Sequence, residues 1–234
     1  FLNTGNLVLG NGAGDTLTFA GGLTATAPAA ISAAGTLNTT NTALSLGDAN
    51  TVLTLAANLT LDTTGANASA GGSLTLGGLV NGTTVNTESL TLNAGSTGAV
   101  SVVGSMGQTT SLKTLTLTNS NGAVFNAPVT TGTSVVLTDT VAGQTISFAD
   151  NLSTPVLTTT AHGYHLELLG TTTTVSDTNT ATTFLNTGNL VLGNGAGDSL
   201  TFAGGVTATA PAAIRAAGTI NTTNTAMSLG DANT

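Results

Sequence analysis

A chain that repeats itself almost residue for residue must fold so that one unit can sit on the next. Residues 1–51 read FLNTGNLVLGNGAGDTLTFAGGLTATAPAAISAAGTLNTTNTALSLGDANT, and residues 184–234 read FLNTGNLVLGNGAGDSLTFAGGVTATAPAAIRAAGTINTTNTAMSLGDANT. Phe1 thus recurs as Phe184, and the two stretches differ at only five positions: Thr16/Ser199, Leu23/Val206, Ser32/Arg215, Leu37/Ile220 and Leu44/Met227. Four of these pairs keep size and polarity, as a side chain filling the same slot in each copy must. Ser32/Arg215 alone changes character, which assigns it to a surface. The organisation is therefore one complete unit, residues 1–183, followed by the first part of the next, 184–234, continuous with it. The chain opens on Phe1 and stops within a unit, and we read it as a segment of a longer array.

Composition narrows the partners. Lys113 and Arg215 are the only basic residues, against ten acids, for a net charge of −8. Nucleic-acid binding needs clustered Lys and Arg to displace counterions, and a membrane-surface contact needs a polybasic patch. Neither is available here. No apolar run approaches the roughly 20 residues of a membrane-spanning helix. There is no cysteine, as suits a chain exported unfolded. Disorder goes with low hydrophobicity and high charge, whereas this chain is 40% hydrophobic and 5% charged.

Helices are disfavoured, because Thr, Asn, Ser and Gly dominate and exposed helix formers are scarce. Short alternating segments point to half-buried strands, with Thr as the outward, β-branched partner. Examples are Leu17-Thr18-Phe19, Leu44-Ser45-Leu46, Leu59-Thr60-Leu61, Leu74-Thr75-Leu76, Leu90-Thr91-Leu92 and Leu166-Glu167-Leu168. Gly and Asn-Gly pairs separate them: Asn11-Gly12, Gly21-Gly22, Gly77-Gly78, Asn81-Gly82 and Asn121-Gly122.

Leu117, Leu137 and Leu157 recur at an even interval, while Leu59, Leu74, Leu90 and Leu115 are spaced less regularly. Their mean interval, roughly 20 residues, matches one coil of a β-solenoid. The unit would then hold roughly nine coils and span about 43 Å at the ~4.8 Å strand spacing. Stacking sets like on like, Leu over Leu inside and Thr over Thr outside. It also accounts for the low charge, since a charged residue would sit about 5 Å from its own kind on the neighbouring coil. The alternative architecture is a string of β-sandwich domains, two per unit, although no composition shift marks a linker.

The phrases GDTLTFAGGL, AAISAAGTLNTTNTALSLGDANT, SLTLNAGSTGAVSV and LTLTNSNGAVFNAPV resemble the repeat regions of filamentous-haemagglutinin-like exoproteins and large autotransporter adhesins. The resemblance spans essentially the whole chain. It implies an all-β, right-handed parallel β-helix, export across the outer membrane of a Gram-negative cell, and a role in attachment. It is a resemblance to scaffold and carries over no site residues.

A few motifs bear on chemistry. Gly10 to Asp15 and Gly193 to Asp198 read GNGAGD, close to the calcium-binding GGxGxD, but they lack the residue before the Asp and occur once per unit. A plain turn is the stronger reading. A dinucleotide fingerprint fails because Asp15 stands where a Gly is needed. His162, Tyr164, His165 and Glu167 form the one polar-aromatic cluster. On a strand the two His would face opposite sides, so a capping surface is favoured over a metal site or a recognition spot. Apart from Glu167, the acids of the first unit, Asp15, Asp48, Asp62, Glu88, Asp139, Asp150 and Asp177, are spread along the chain rather than paired as hydrolytic chemistry requires. Thr-x-Thr occurs irregularly, at Thr16/Thr18, Thr24/Thr26 and Thr114/Thr116/Thr118, whereas an ice-binding face needs it at one fixed place on nearly every coil, which makes that reading a minor one. Sequons at Asn38, Asn58, Asn81 and Asn151 arise readily in so Asn- and Thr-rich a chain.

The resulting expectation is a solenoid module with no catalytic, cofactor or metal site. It projects or builds an extracellular, cell-surface filament and is not an enzyme. A self-assembling sheath or matrix fibre is the second reading, and an ice- or glycan-binding face the third. The expected partners are neighbouring repeats, joined end to end, and a cell-surface or glycan receptor.

Overall fold

The computed structural model describes residues 1–65 and 70–234. Twenty-five short strands, and no helix among the described residues, make up the chain. Every strand pairing is parallel. Sandwich sheets are antiparallel, so the fold is a continuous β-solenoid and not a string of sandwiches.

Each coil gives one strand to each of three ladders. Ladder one begins at Asn6–Leu9 and passes through the first parts of Ala30–Thr39 and Val52–Asp62. It continues through Leu79–Gly82, a bridge at Met106, the start of Val129–Leu137, Leu152–Thr154 and Thr172–Val175, and ends with Ser199–Phe202 and Thr219–Thr222. Ladder two runs from Thr16–Phe19 through the later parts of the same long strands, with Leu90–Asn93, Leu112–Asn119 and Val156–Thr158. Thr182–Thr183, Val206–Ala208 and Met227–Leu229 extend that side. Ladder three stacks Leu23–Ala25, Leu44–Leu46, Leu74–Leu76, Val100–Val102, Ala123–Phe125, Thr145–Phe148, His165–Leu168, Asn189–Leu192 and Ala213–Ala216.

Register fixes the coil length. Along ladder three, Thr24, Ser45, Thr75, Ser101, Val124, Ser147, Glu167, Val191 and Arg215 are successive partners. Eight steps carry the chain from Thr24 to Arg215, about 24 residues per coil, within the range of repeat lengths that build solenoids. The unit 1–183 therefore holds fewer coils than the nine expected from the shorter spacing. The cause is plain in the register. Leu59 and Leu74 stand on different ladders, and the partner of Leu59 is Leu90. Several of the spacings read from the sequence were steps between ladders.

The interior is a set of like-on-like columns. Leu37, Leu61, Leu92, Leu117 and Leu137 follow one another on ladder two, all fully buried. Phe125 lies on Phe148 with ring centroids 4.7 Å apart and planes 7° off parallel, a face-on stack that the coil spacing imposes. Each such Leu or Phe contributes about 1.5–3 kcal/mol by leaving water, and the parallel ladders satisfy one another's backbone polarity from coil to coil.

Corners between ladders are tight. A Cβ at Gly107, whose φ is +68°, would lie 2.2 Å from the carbonyl oxygen of Thr130 on the next coil. Only glycine supplies both the left-handed backbone and the clearance. A polar column lines the edge of ladder two, Asn38–Asp62–Asn93–Asn119. Within it Asn93 donates from Nδ2 to Asp62 Oδ1 at 3.3 Å.

Candidate functional site

Outward-facing residues form ranks along each ladder, and these are the surface the fold offers. On ladder two Thr16, Thr36, Thr60, Thr91 and Thr116 occupy one rank over five successive coils. Val136 and Thr158 follow them. Beside it runs the Asn38–Asp62–Asn93–Asn119 column, half-buried for the most part and buried at Asn38, so the Thr rank is flanked by an amide-carboxylate row and not by a second Thr row. The sequence concealed this rank because its members are unevenly spaced along the chain. Its signal lay in the Leu-Thr-Leu triplets, which give the outward Thr but not the coil it belongs to.

The carboxylates are mostly held by the corners that carry them. Asp15 Oδ2 accepts the backbone N–H groups of Asn11 at 2.8 Å and Gly12 at 3.0 Å. Asp198 does the same with Asn194 and Gly195, both at 2.8 Å. These are the two GNGAGD segments, closed as plain turns. Asp48, Asp177 and Asp231 each accept the N–H two positions ahead, from Asn50, Asn179 and Asn233. The backbone amides stabilise the charged form, and Asp15, Asp48, Asp177 and Asp231 all sit below the usual carboxylate range. Asp62 takes Thr64 N–H and O–H at 2.8 and 2.6 Å. Glu88, buried, accepts Thr83 and Thr84 N–H at 3.1 Å each.

The His/Tyr cluster is divided by the fold. Tyr164 is fully buried; it accepts Thr160 N–H at 3.2 Å, and burial pushes its hydroxyl pKa up. His162 lies in a bend before the strand, not on it, and its Nδ1 is 3.3 Å from Asp139 Oδ1. His165 opens the strand His165–Leu168, and its Nδ1 accepts Asn189 N–H at 2.7 Å. Among the described residues no three His, Cys, Asp or Glu side chains gather as a metal would require. Of the four sequons, Asn38 and Asn81 are 9% exposed and so closed to a glycan, and Asn151 Oδ1 is taken up by Thr172 N–H at 2.8 Å.

Ladder three carries a surface on which acid and base come close. Glu167, Val191 and Arg215 are successive outward partners, with His165 and Asn189 one row to the side. They border two shallow open depressions of about 280 and 180 Å³. Glu167 and Arg215 are two coils apart, about 10 Å between Cα atoms. The arrangement presents one carboxylate, one guanidinium, an imidazole and an amide over an apolar valine. That is a set of hydrogen-bond donors and acceptors for a polar ligand, with no second carboxylate beside the first to run hydrolytic chemistry. Arg215 is the one residue whose counterpart, Ser32, differs in character.

Comparison with protein-family models, with curated proteins and with solved structures finds no match to this chain. The fold itself defines the class: a repetitive parallel β-solenoid.

Proposed function

We propose that the chain is a structural module of a secreted, cell-surface fibre or adhesin stalk of a Gram-negative bacterium, in which it extends a filament and holds other parts away from the surface. The observation that carries this reading is the continuity of the stack across the repeat boundary at 183/184. Strands of the second unit lie in register on those of the first: Leu190 on Leu166, Leu200 on Thr173 and Val206 on Thr182. A unit that continues its neighbour's core without a linker favours a stiff rod over a set of independent binding domains. The resemblance to filamentous-haemagglutinin-like repeats and the engagement of most carboxylates by their own corners point the same way.

The copies also report what stacking buries. Phe1 is 47% exposed whereas its counterpart Phe184 is fully buried, and Met227 is 44% exposed whereas Leu44 is fully buried. The exposure of each such residue reports whether a neighbouring coil covers it, so unit packs on unit through the same apolar columns that fill the interior. The in-register stacking across 183/184, with parallel strand edges that template further pairing, supports end-to-end self-association of units, and with it the second reading, a self-assembling sheath or matrix fibre. Sedimentation velocity over a hundred-fold concentration range tests it. Growing linear oligomers are expected, and a single monomeric species at every concentration would contradict it. The depression beside Arg215 supports a glycan or cell-surface receptor contact; binding to a glycan panel that survives unchanged in Arg215→Ser would remove that role.

A further inference from the structure

The two copies of the segment 1–51 stand on different ladders. Asn6–Leu9 belongs to ladder one, and its counterpart Asn189–Leu192 to ladder three. Thr16–Phe19 is on ladder two and Ser199–Phe202 on ladder one. Leu23–Ala25 is on ladder three, while Val206–Ala208 belongs with Thr182–Thr183 and Met227–Leu229 on the second side. Counting strands along the chain, each counterpart is 23 ladder positions further on. Three positions make a coil, so one unit advances 7⅔ coils, not a whole number.

Local geometry is indifferent to this change of ladder. The corner glycines keep their φ values from copy to copy: +75° and +76° at Gly10 and Gly193, +101° and +104° at Gly22 and Gly205, +79° and +81° at Gly35 and Gly218. Asn41 and Asn224, left-handed without being glycine, have φ +53° and +55°. Phe1 meets Phe19 edge-on at 6.1 Å and 80°, and Phe184 meets Phe202 at 5.7 Å and 87°. The same sequence therefore builds the same strand–corner–strand path in both ladder settings that the two copies occupy.

We propose that successive copies of the unit are each turned by one ladder about the solenoid axis, so that a surface carried once per unit faces three directions in rotation. The His165/Glu167 face lies on ladder three in this unit. It falls on ladder two in the next and on ladder one in the one after, stepping about 37 Å along the axis each time at ~4.8 Å per coil. The filament's true period is then three units and 23 coils, about 110 Å. A partner that recognises this face meets it on whichever side the rod lies, so the surface fits a receptor displayed in many copies rather than one engaged along a single line. The proposal takes from the preceding reading only that the unit recurs; the cross-links below hold or fail whatever the fibre is for.

The chain has no cysteine, so engineered pairs report register cleanly. Neighbouring coils put Cα atoms ~4.8 Å apart, within disulfide range. In the chain 1–234, Glu167→Cys with Val191→Cys should cross-link nearly completely on mild oxidation. Thr174→Cys with Val191→Cys should not, because Thr174 pairs with Thr201 on ladder one. Thr174→Cys with Thr201→Cys is the second pair expected to close, and Val8→Cys with Ser32→Cys is the first-copy equivalent of the pair at 191 and 215. A bond between positions 174 and 191 would return the second copy to the ladder of the first and overturn the proposal. So would failure of both the 167/191 and the 174/201 pairs in protein that retains its β circular dichroism. In chains of four units with a gold-labelled cysteine replacing every Glu167, labels stepping one third of a turn are expected, and labels in one straight line would contradict it.

Discussion

Glycine-to-alanine changes at three corners separate the two forces that shape them. Gly143 has φ +79° and nothing within 4 Å of an added Cβ. Gly143→Ala therefore meets only the left-handed backbone cost, about 1–2 kcal/mol. At Gly104 the backbone is ordinary, but a Cβ would lie 2.1 Å from the carbonyl oxygen of Gly78 on the coil before. Gly104→Ala must push two coils apart, an overpacking cost of about 1–3 kcal/mol. Gly107 combines both, with φ +68° and the Thr130 carbonyl oxygen at 2.2 Å, so Gly107→Ala should cost the sum, about 2–5 kcal/mol. Gly5, with nothing within 4 Å and no positive φ, is the control and should change little. Urea unfolding followed by far-ultraviolet circular dichroism ranks the four. The expected order is Gly107→Ala most destabilised, then the two single-cause variants, then Gly5→Ala. Equal losses at Gly107 and Gly143 would refute the reasoning, because the neighbouring coil would then contribute nothing to the corner.

Truncation in the Leu column should be expensive: Leu92→Ala, fully buried between Leu61 and Leu117, should lose about 3–5 kcal/mol by the same assay, whereas Val85→Ala, 60% exposed, should lose under about 0.5 kcal/mol. Paired charges in the Thr rank should repel: Thr60→Asp with Thr91→Asp sets two carboxylates on adjacent coils, costing about 1 kcal/mol beyond the two single changes and less in high salt. Acid should loosen the corners. Asp15, Asp48, Asp177 and Asp231 have folded pKa values below the ordinary 3.8, so their contribution is present above that value and is lost as pH falls through the folded one. The urea midpoint should drop below about pH 4, and the drop should shrink in Asp48→Asn with Asp231→Asn.

The strands were legible in the sequence because Leu-Thr-Leu alternation reports a half-buried strand without any knowledge of what it pairs with. The stack was legible through the near-absence of charge. The coil was not. Corners absorb insertions freely, so the step from Ser45 to Thr75 is half as long again as the step from Ser147 to Glu167, and spacing alone does not tell a step along a ladder from a step to the next one. That ambiguity hid the Thr16–Thr116 rank and the turn of one copy relative to the other. It also separated Glu167 from Arg215, distant in sequence but two coils apart in the fold. Tyr164 was misjudged for a related reason: between two histidines it reads as surface, but strand alternation turns it inward.

Electron microscopy of chains carrying one, two, three and four copies of the 1–183 unit tests the continuous solenoid most directly. Smooth, unbranched rods that lengthen by about 37 Å per unit, as 7⅔ coils at ~4.8 Å require, are the expected result; beads joined by bends, or an increment far from that value, would contradict it.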